Sequence, residues 1–172
     1  MSLPTEGGSD EHDDERSLVE DFGVHIGRTM GWPPMAGRAA GVLMLSETPL
    51  TLTQLQQALN ASKGSVSETT RTLITSGTVE RFKEAGSRQF VYRWRDDAWI
   101  GCLQHQLDQT TRLLAMAENN YDRGETFSPT QQERLKQMRD YYRFIVRRLD
   151  DLLTEYTAQW QQDRTDRAEA RG

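Results

Sequence analysis

The spacing of apolar residues changes period twice along this chain, and that change constrains the fold more than any other feature. Leu18, Val19, Phe22 and Ile26 predict a first helix over 17–30, stopped by Gly31-Trp-Pro-Pro34. Ala36, Ala39, Ala40, Leu43 and Met44 predict a second from about Met35 to Ser46. Thr53 is the expected N-cap of a short third helix with Leu55, Ala58 and Leu59 inward. A polar turn follows. Ser62 then caps a fourth helix to about Ser76, with Val66, Thr69, Thr70, Leu73 and Ile74 inside and Gly77 at its end. From Val79 the period falls toward two. Val79, Arg81 and Lys83 alternate with their neighbours, as do Phe90, Tyr92 and Trp94, which predicts a hairpin turning near Gly86. The helical period then returns. Leu103, Leu107, Leu114 and Tyr121 lead to a break at Gly124, and Ser128-Pro129 restarts the pattern. Leu135, Met138, Tyr142, Ile145, Leu149, Leu152 and Tyr156 keep a seven-residue repeat, the mark of a helix-packing seam.

The 172 residues carry a net charge of −5, which on its face disfavours a polyanionic partner. The excess is local. Residues 1–16 hold six acidic side chains against Arg16, while the remainder holds twenty of each sign. Residues 53–95 go the other way, with seven basic side chains against three acidic ones. A basic island in a neutral body is a local electrostatic footprint. The acidic stretch has almost no apolar residues, so disorder is expected there.

A short helix, a turn, a second helix and an immediate hairpin make a winged helix-turn-helix. The expected fold is therefore mainly α: a winged helix-turn-helix with a two-stranded β-wing, plus long dimerisation helices. The expected organisation is a disordered acidic tail (1–16), an N-terminal helix and winged helix-turn-helix DNA-binding region (17–97), a helical dimerisation region (98–163) and a frayed C-terminal tail (164–172). The second helix of the motif presents Lys63, Ser65, Ser67, Glu68 and Arg71, small polar and charged residues that can reach base edges or phosphates. Ser62 starts that helix at an end favourable to phosphate, and Gly64 lets the backbone come close. Lys83, Ser87 and Arg88 sit at or beside the hairpin tip, where cations can enter a minor groove or clamp phosphate. A two-fold dimer would set two such helices about 34 Å apart, one turn of a palindromic duplex. Leu103, Leu107, Leu114, Ile145, Leu149, Leu152 and Tyr156 are the candidate dimer residues. The alternative is a winged-helix protein–protein interaction module without DNA binding, whose sign would be an apolar exposed face on the second helix.

Enzyme chemistry finds no site. There is no phosphate-binding glycine loop, no Gly-x-Ser-x-Gly and no His-Glu-x-x-His. His12, His25 and His105 are scattered, so neither a metal nor a cofactor is expected. Cys102 reads as a small core residue, and Arg143, Arg147 and Arg148 as a solvated face. A ligand pocket is open to His25, Trp32, Met35 and Trp99, with core packing as the competing reading. No apolar run approaches the ~20 residues that cross a bilayer, and the acidic start is unlike a secretory signal. With a single cysteine, the expectation is a cytoplasmic protein.

Phe22-Gly23, Gly31-Trp-Pro-Pro-Met-Ala-Gly-Arg38, Gly41-Val-Leu-Met-Leu-Ser46, Ser62-Lys-Gly-Ser-Val-Ser67, Thr70-Arg-Thr-Leu73, Gly77-Thr-Val-Glu-Arg81 and Gly86-Ser-Arg88 resemble the GbsR-type branch of the MarR-like transcriptional regulators. The resemblance covers about residues 20–100. Pro34 departs from it, standing where arginine is expected. The resemblance implies a homodimeric winged-helix repressor that pairs through residues near 17–30, 98–123 and 129–160. It implies control of neighbouring operons, osmoprotectant and transport genes among them, with room for a small-molecule effector that no residue identifies.

Overall fold

The computed structural model describes residues 8–170. Residues 1–7 of the expected acidic tail and 171–172 of the expected frayed end lie outside the described residues. Two compact units divide between Ala98 and Trp99.

The first unit opens on a helix that starts nine residues before the expected point. Helix α1 (Gly8–Asp21) continues through a π-helical segment, Phe22–Ile26, into α2 (Gly27–Thr29). Residues 8–16, which composition assigns to a disordered tail, fall within this helix. Composition weighs apolar burial, but an acidic stretch also suits the first turns of a helix that propagates from the amphipathic residues after it. Gly31, at φ 68°, turns the chain, and Pro34 opens α3 (Pro34–Leu45). This helix lies against the π-helical segment at backbone range. A Cβ on Gly37 would stand 2.5 Å from the Phe22 carbonyl oxygen, so only glycine fits.

The third helix begins earlier than the expected Thr53 cap. Thr51 caps α4 (Leu52–Leu59): its hydroxyl accepts from the Gln54 N–H at 3.2 Å, and the Gln54 side chain accepts from the Thr51 N–H at 2.8 Å. Leu50 and Thr51 also form a short strand, β1 (Leu50–Thr51). Asn60, at φ 48°, closes α4 and turns the chain toward α5 (Lys63–Thr75). The hairpin follows as β2 (Val79–Lys83) and β3 (Phe90–Trp94). The sheet is antiparallel and three-stranded, in the order β1-β3-β2, so the expected two-stranded wing gains a strand. A two-residue strand is too short to show a period of two, which is why sequence misses it.

The core of this unit joins Ala36, Ala39, Ala40 and Leu43 of α3 to Leu55 and Leu59, Val66 and Leu73, Val79 and Tyr92. Burying such side chains stabilises by roughly 1.5–3 kcal/mol for each large one. Ser76 and Thr78 are buried beside it, and both hydroxyls donate to the Leu73 carbonyl, at 2.9 and 3.1 Å. That satisfies the end of α5 where the chain enters β2. Two expected inward residues face out instead: Ala58 is exposed, and Ile74 is 37% exposed.

The second unit is α6 (Ala98–Arg123) and α7 (Pro129–Glu169). Ser128 caps α7 in a capping box with Gln131, and Pro129 takes the first turn. Helix α7 runs through 164–169, where fraying was expected. At 41 residues it spans about 60 Å. The two helices meet near their junction. Arg143 donates to Glu118 at 2.8 Å, and the Arg139 guanidinium lies 3.9 Å from the Tyr121 ring centre. No residue of α7 is buried. Among the described residues, no helix is long and apolar enough to cross a membrane.

Candidate nucleic-acid interface

Helix α5 has a defined inner and outer side. Val66, Thr69, Thr70 and Leu73 are buried; Lys63, Gly64, Glu68, Arg71, Ile74 and Thr75 are exposed. Ser62 is its N-cap, as expected, and accepts from the Ser65 N–H at 3.2 Å. Ser65 and Ser67 are half-buried along its margin. The exposed side is polar apart from Ile74, not the apolar face that a pure protein-docking module would need.

The wing is polarised. Register places Val79, Arg81, Lys83, Phe90, Tyr92 and Trp94 on one face, and Glu80, Phe82, Val91 and Arg93 on the other. On the second face Arg93 is spent on Glu80, donating at 2.9 Å. Beyond the strand, Arg95 makes a two-pronged pair with Asp97 at 2.8 Å, which raises the pKa of its guanidinium. The first face is different. The Arg81 guanidinium stands 4.2 Å from the Phe90 ring centre and the Lys83 ammonium 4.9 Å from it. Phe90, 41% exposed, thus holds two cations in place without neutralising either. At the tip Gly86 takes φ 81°, the Ser87 N–H donates to the Glu84 carbonyl, and the Ser87 hydroxyl accepts from the Gln89 N–H. Ser87 shapes the turn that presents Arg88.

Among the described residues, Lys63, Arg71, Arg81, Lys83 and Arg88 have no carboxylate partner. The basic island therefore separates into five available cations and two neutralised ones. A cleft of about 380 Å³ lies between α5 and the first face of the sheet, lined by Ser67, Thr70, Arg71, Ile74, Arg81 and Tyr92. Two expected residues, Ser67 and Arg71, meet there. Lys83, Ser87 and Arg88 do not line it. Sequence reasoning passed over Arg81 and Phe90 as site residues, although strict alternation already set Arg81 beside Lys83.

The remaining candidates are placed as follows. Leu103, Leu107, Leu114, Ile145, Leu149 and Tyr156 are half-buried, and Leu152 is 47% exposed. Trp32 and Met35 pack against the core of the first unit, His25 is exposed, and Trp99 belongs to the second unit. A cavity of about 580 Å³ within the first unit, lined by residues of α1 and α3 among others, includes none of these four. Cys102 is buried, and burial pushes its thiol up, away from the thiolate that reacts. Among the described residues, no cluster of three metal-ligating side chains occurs.

Four likenesses bear on this geometry. The family pattern described as "MmpR5-like MarR family transcriptional regulator" matches residues 97–159. The chain is 28% identical over 151 residues to the HTH-type transcriptional regulator MmpR5 of Mycobacterium tuberculosis, covering 87% of this chain and 91% of that one. It is 31% identical over 83 residues to the HTH-type transcriptional repressor OpcR of Bacillus subtilis, covering 48% of this chain and 44% of that one. A crystal structure described only as a transcriptional regulator superposes with a TM-score of 0.78 at 27% identity, over 84% of this chain and 99% of that one.

Proposed function

From a chain that is a winged-helix transcriptional regulator of the MarR family, we propose a cytoplasmic, homodimeric repressor of the GbsR-type branch that reads a palindromic operator. The branch assignment is supported by the run Gly31–Arg38 and by Ser62-Lys-Gly-Ser-Val-Ser67. The observation that carries the reading is the sorting of charge: five cations without carboxylate partners stand on α5 and the wing, while Arg93 and Arg95 are neutralised.

Each residue then has a task. Ser62 orders the first turn of α5, and Lys63 and Gly64 offer a cation and close backbone approach to a phosphate. Ser65, Ser67, Glu68 and Arg71 are the readers in the major groove. Arg81 adds a cation to the cleft beside Arg71. Lys83 and Arg88 clamp the backbone or the adjacent minor groove from the wing. Pairing falls to α6 and α7, because the seam of Ile145, Leu149, Leu152 and Tyr156 is covered only in part within one chain. A dimer would present two α5 helices to successive major grooves on one side of the duplex.

Selection from random duplex DNA with the full chain tests the reading. The expected product is an inverted repeat. Arg88→Ala should weaken every duplex and lower the salt slope by about one. Ser67→Ala should change the selected sequence instead. A chain that prefers no duplex over competitor at low salt overturns the proposal.

A further inference from the structure

One aromatic ring of the wing has no use in the core. On the first face of the sheet, Trp94, Tyr92 and Phe90 follow one another toward the tip. Tyr92 is buried in the core of the first unit, and Trp94 packs against that core. Phe90 does neither. Among the described residues, it is the one large apolar side chain of the sheet that is exposed.

What this ring touches is charge. The Arg81 guanidinium carbon lies 4.2 Å from its centre and the Lys83 nitrogen 4.9 Å. Lys83 is its cross-strand partner, and Arg81 stands on the diagonal, two residues back along β2. The opposite face is built with the same parts and a different balance. There Arg93 lies 5.1 Å from the centre of the Phe82 ring and also donates to Glu80. Arg93 is stacked and neutralised; Arg81 and Lys83 are stacked only, with no carboxylate partner among the described residues.

The difference has physical consequences. A ring face attracts a cation through its quadrupole and leaves the N–H donors free for another anion. Two like charges beside one ring repel each other, and a polyanion relieves that repulsion. Long exposed side chains lose rotamer freedom when they meet a partner, and a ring that already holds them removes part of that cost. Arg81 also lines the cleft beside Ser67 and Arg71, so the held pair starts at α5 and continues outward along the wing.

We propose that Phe90 is a positioning residue for DNA: its ring preorders Arg81 and Lys83 as one unit for the sugar–phosphate backbone between α5 and the wing tip. The part played on DNA rests on the regulator reading; the hold on the two cations does not.

The first measurement needs no DNA. In proton NMR of the full chain, the Arg81 δ-methylene and Lys83 ε-methylene protons should lie upfield, shielded by the ring face, and lose that shielding in Phe90→Leu. Unshielded protons in the wild-type chain overturn the proposal at its root. The second measurement is affinity for a duplex selected with the wild-type chain. Phe90→Leu keeps apolar bulk and both charges, and should weaken binding by about five- to thirtyfold, the ordering of two long side chains. Phe90→Tyr keeps the ring face and should stay within about twofold. Arg81→Gln with Lys83→Gln should lower the salt slope by about two. In that background Phe90→Leu should change affinity by less than about twofold, because the ring has nothing left to hold. A ring that merely shaped the hairpin would cost the same in both backgrounds, and that result overturns the proposal. So does a loss in Phe90→Tyr equal to that in Phe90→Leu, or an unchanged salt slope in the double variant. Phe90→Met takes the place of Phe90→Leu should the latter fail to fold. A wild-type chain that selects no duplex sinks the regulator reading and the role on DNA with it, while the shielding still decides whether the ring holds the cations.

Discussion

The two units bury their apolar residues in opposite ways. In the first, α3, α4, α5 and the sheet surround a cluster in which Leu43, Leu55, Leu59, Val66 and Leu73 are each at most 1% exposed. In the second, a 41-residue helix has no fully buried residue. Its repeat of Leu135, Met138, Tyr142, Ile145 and Leu149 is as regular as any stripe in the chain, yet those side chains remain half-open. Regular spacing therefore says that a face wants cover; it does not say whether the same chain provides it. A helix of this length draws little stability from its own hydrogen bonds and depends on what its apolar stripe meets.

That contrast can be broken most directly at the seam. Ile145→Asp with Leu149→Asp should raise the dimer dissociation constant by about a thousandfold, as loss of two central anchors implies. Sedimentation equilibrium would show it, and an unchanged mass would mean that α7 pairs elsewhere or not at all. The core gives the next effect. Leu55→Ala should cost about 2–5 kcal/mol in denaturant unfolding. Leu152→Ala, measured on dilute monomer, should change stability by less than about 0.5 kcal/mol, since it uncovers nothing already buried. A similar loss at both positions would erase the distinction drawn here.

Helix caps offer a control, because they do not depend on burial. Ser62 and Ser128 each accept from a backbone N–H three residues on. Ser62→Ala and Ser128→Ala should each cost about 1 kcal/mol. Unequal costs, read from melting of the two variants, would show that cap strength follows the unit rather than the local bond. The smallest effect concerns Cys102. Its thiol is raised by burial, so the folded state binds the proton more tightly than the unfolded state. The associated stability is complete below the unfolded thiol pKa and lost as pH rises through the folded value. Alkylation near pH 8 should accordingly be slower in the native chain than in urea, and equal rates would remove burial as the cause.

Much of the first unit was legible because its signals are local. Ser62, the stripe Val66–Leu73 and the alternation around Gly86 each settle a boundary within a few residues. What sequence missed needs distant partners or a choice of side. Thr51 caps α4 while pairing with β3, a contact 40 positions away that no local pattern around Thr53 reveals. Ile74 and Ala58 sit at the edges of their stripes, where helical spacing alone cannot choose inside from outside. Arg81 shares a face with Lys83 by simple alternation, but its place in the cleft depends on how α5 packs against the sheet. Two of the candidate pocket residues illustrate the competing reading of core packing. Trp32 and Met35 are large and apolar, and the core of the first unit had use for them.

One consequence of the uncovered α7 reaches beyond the folded chain. Under the pairing proposed above, covering that helix and assembling the regulator are a single event. At low expression, the amount of paired regulator then grows with the square of chain concentration. Operator occupancy would switch on over a narrow interval of protein abundance, giving the gene a threshold set by a helix rather than by its promoter.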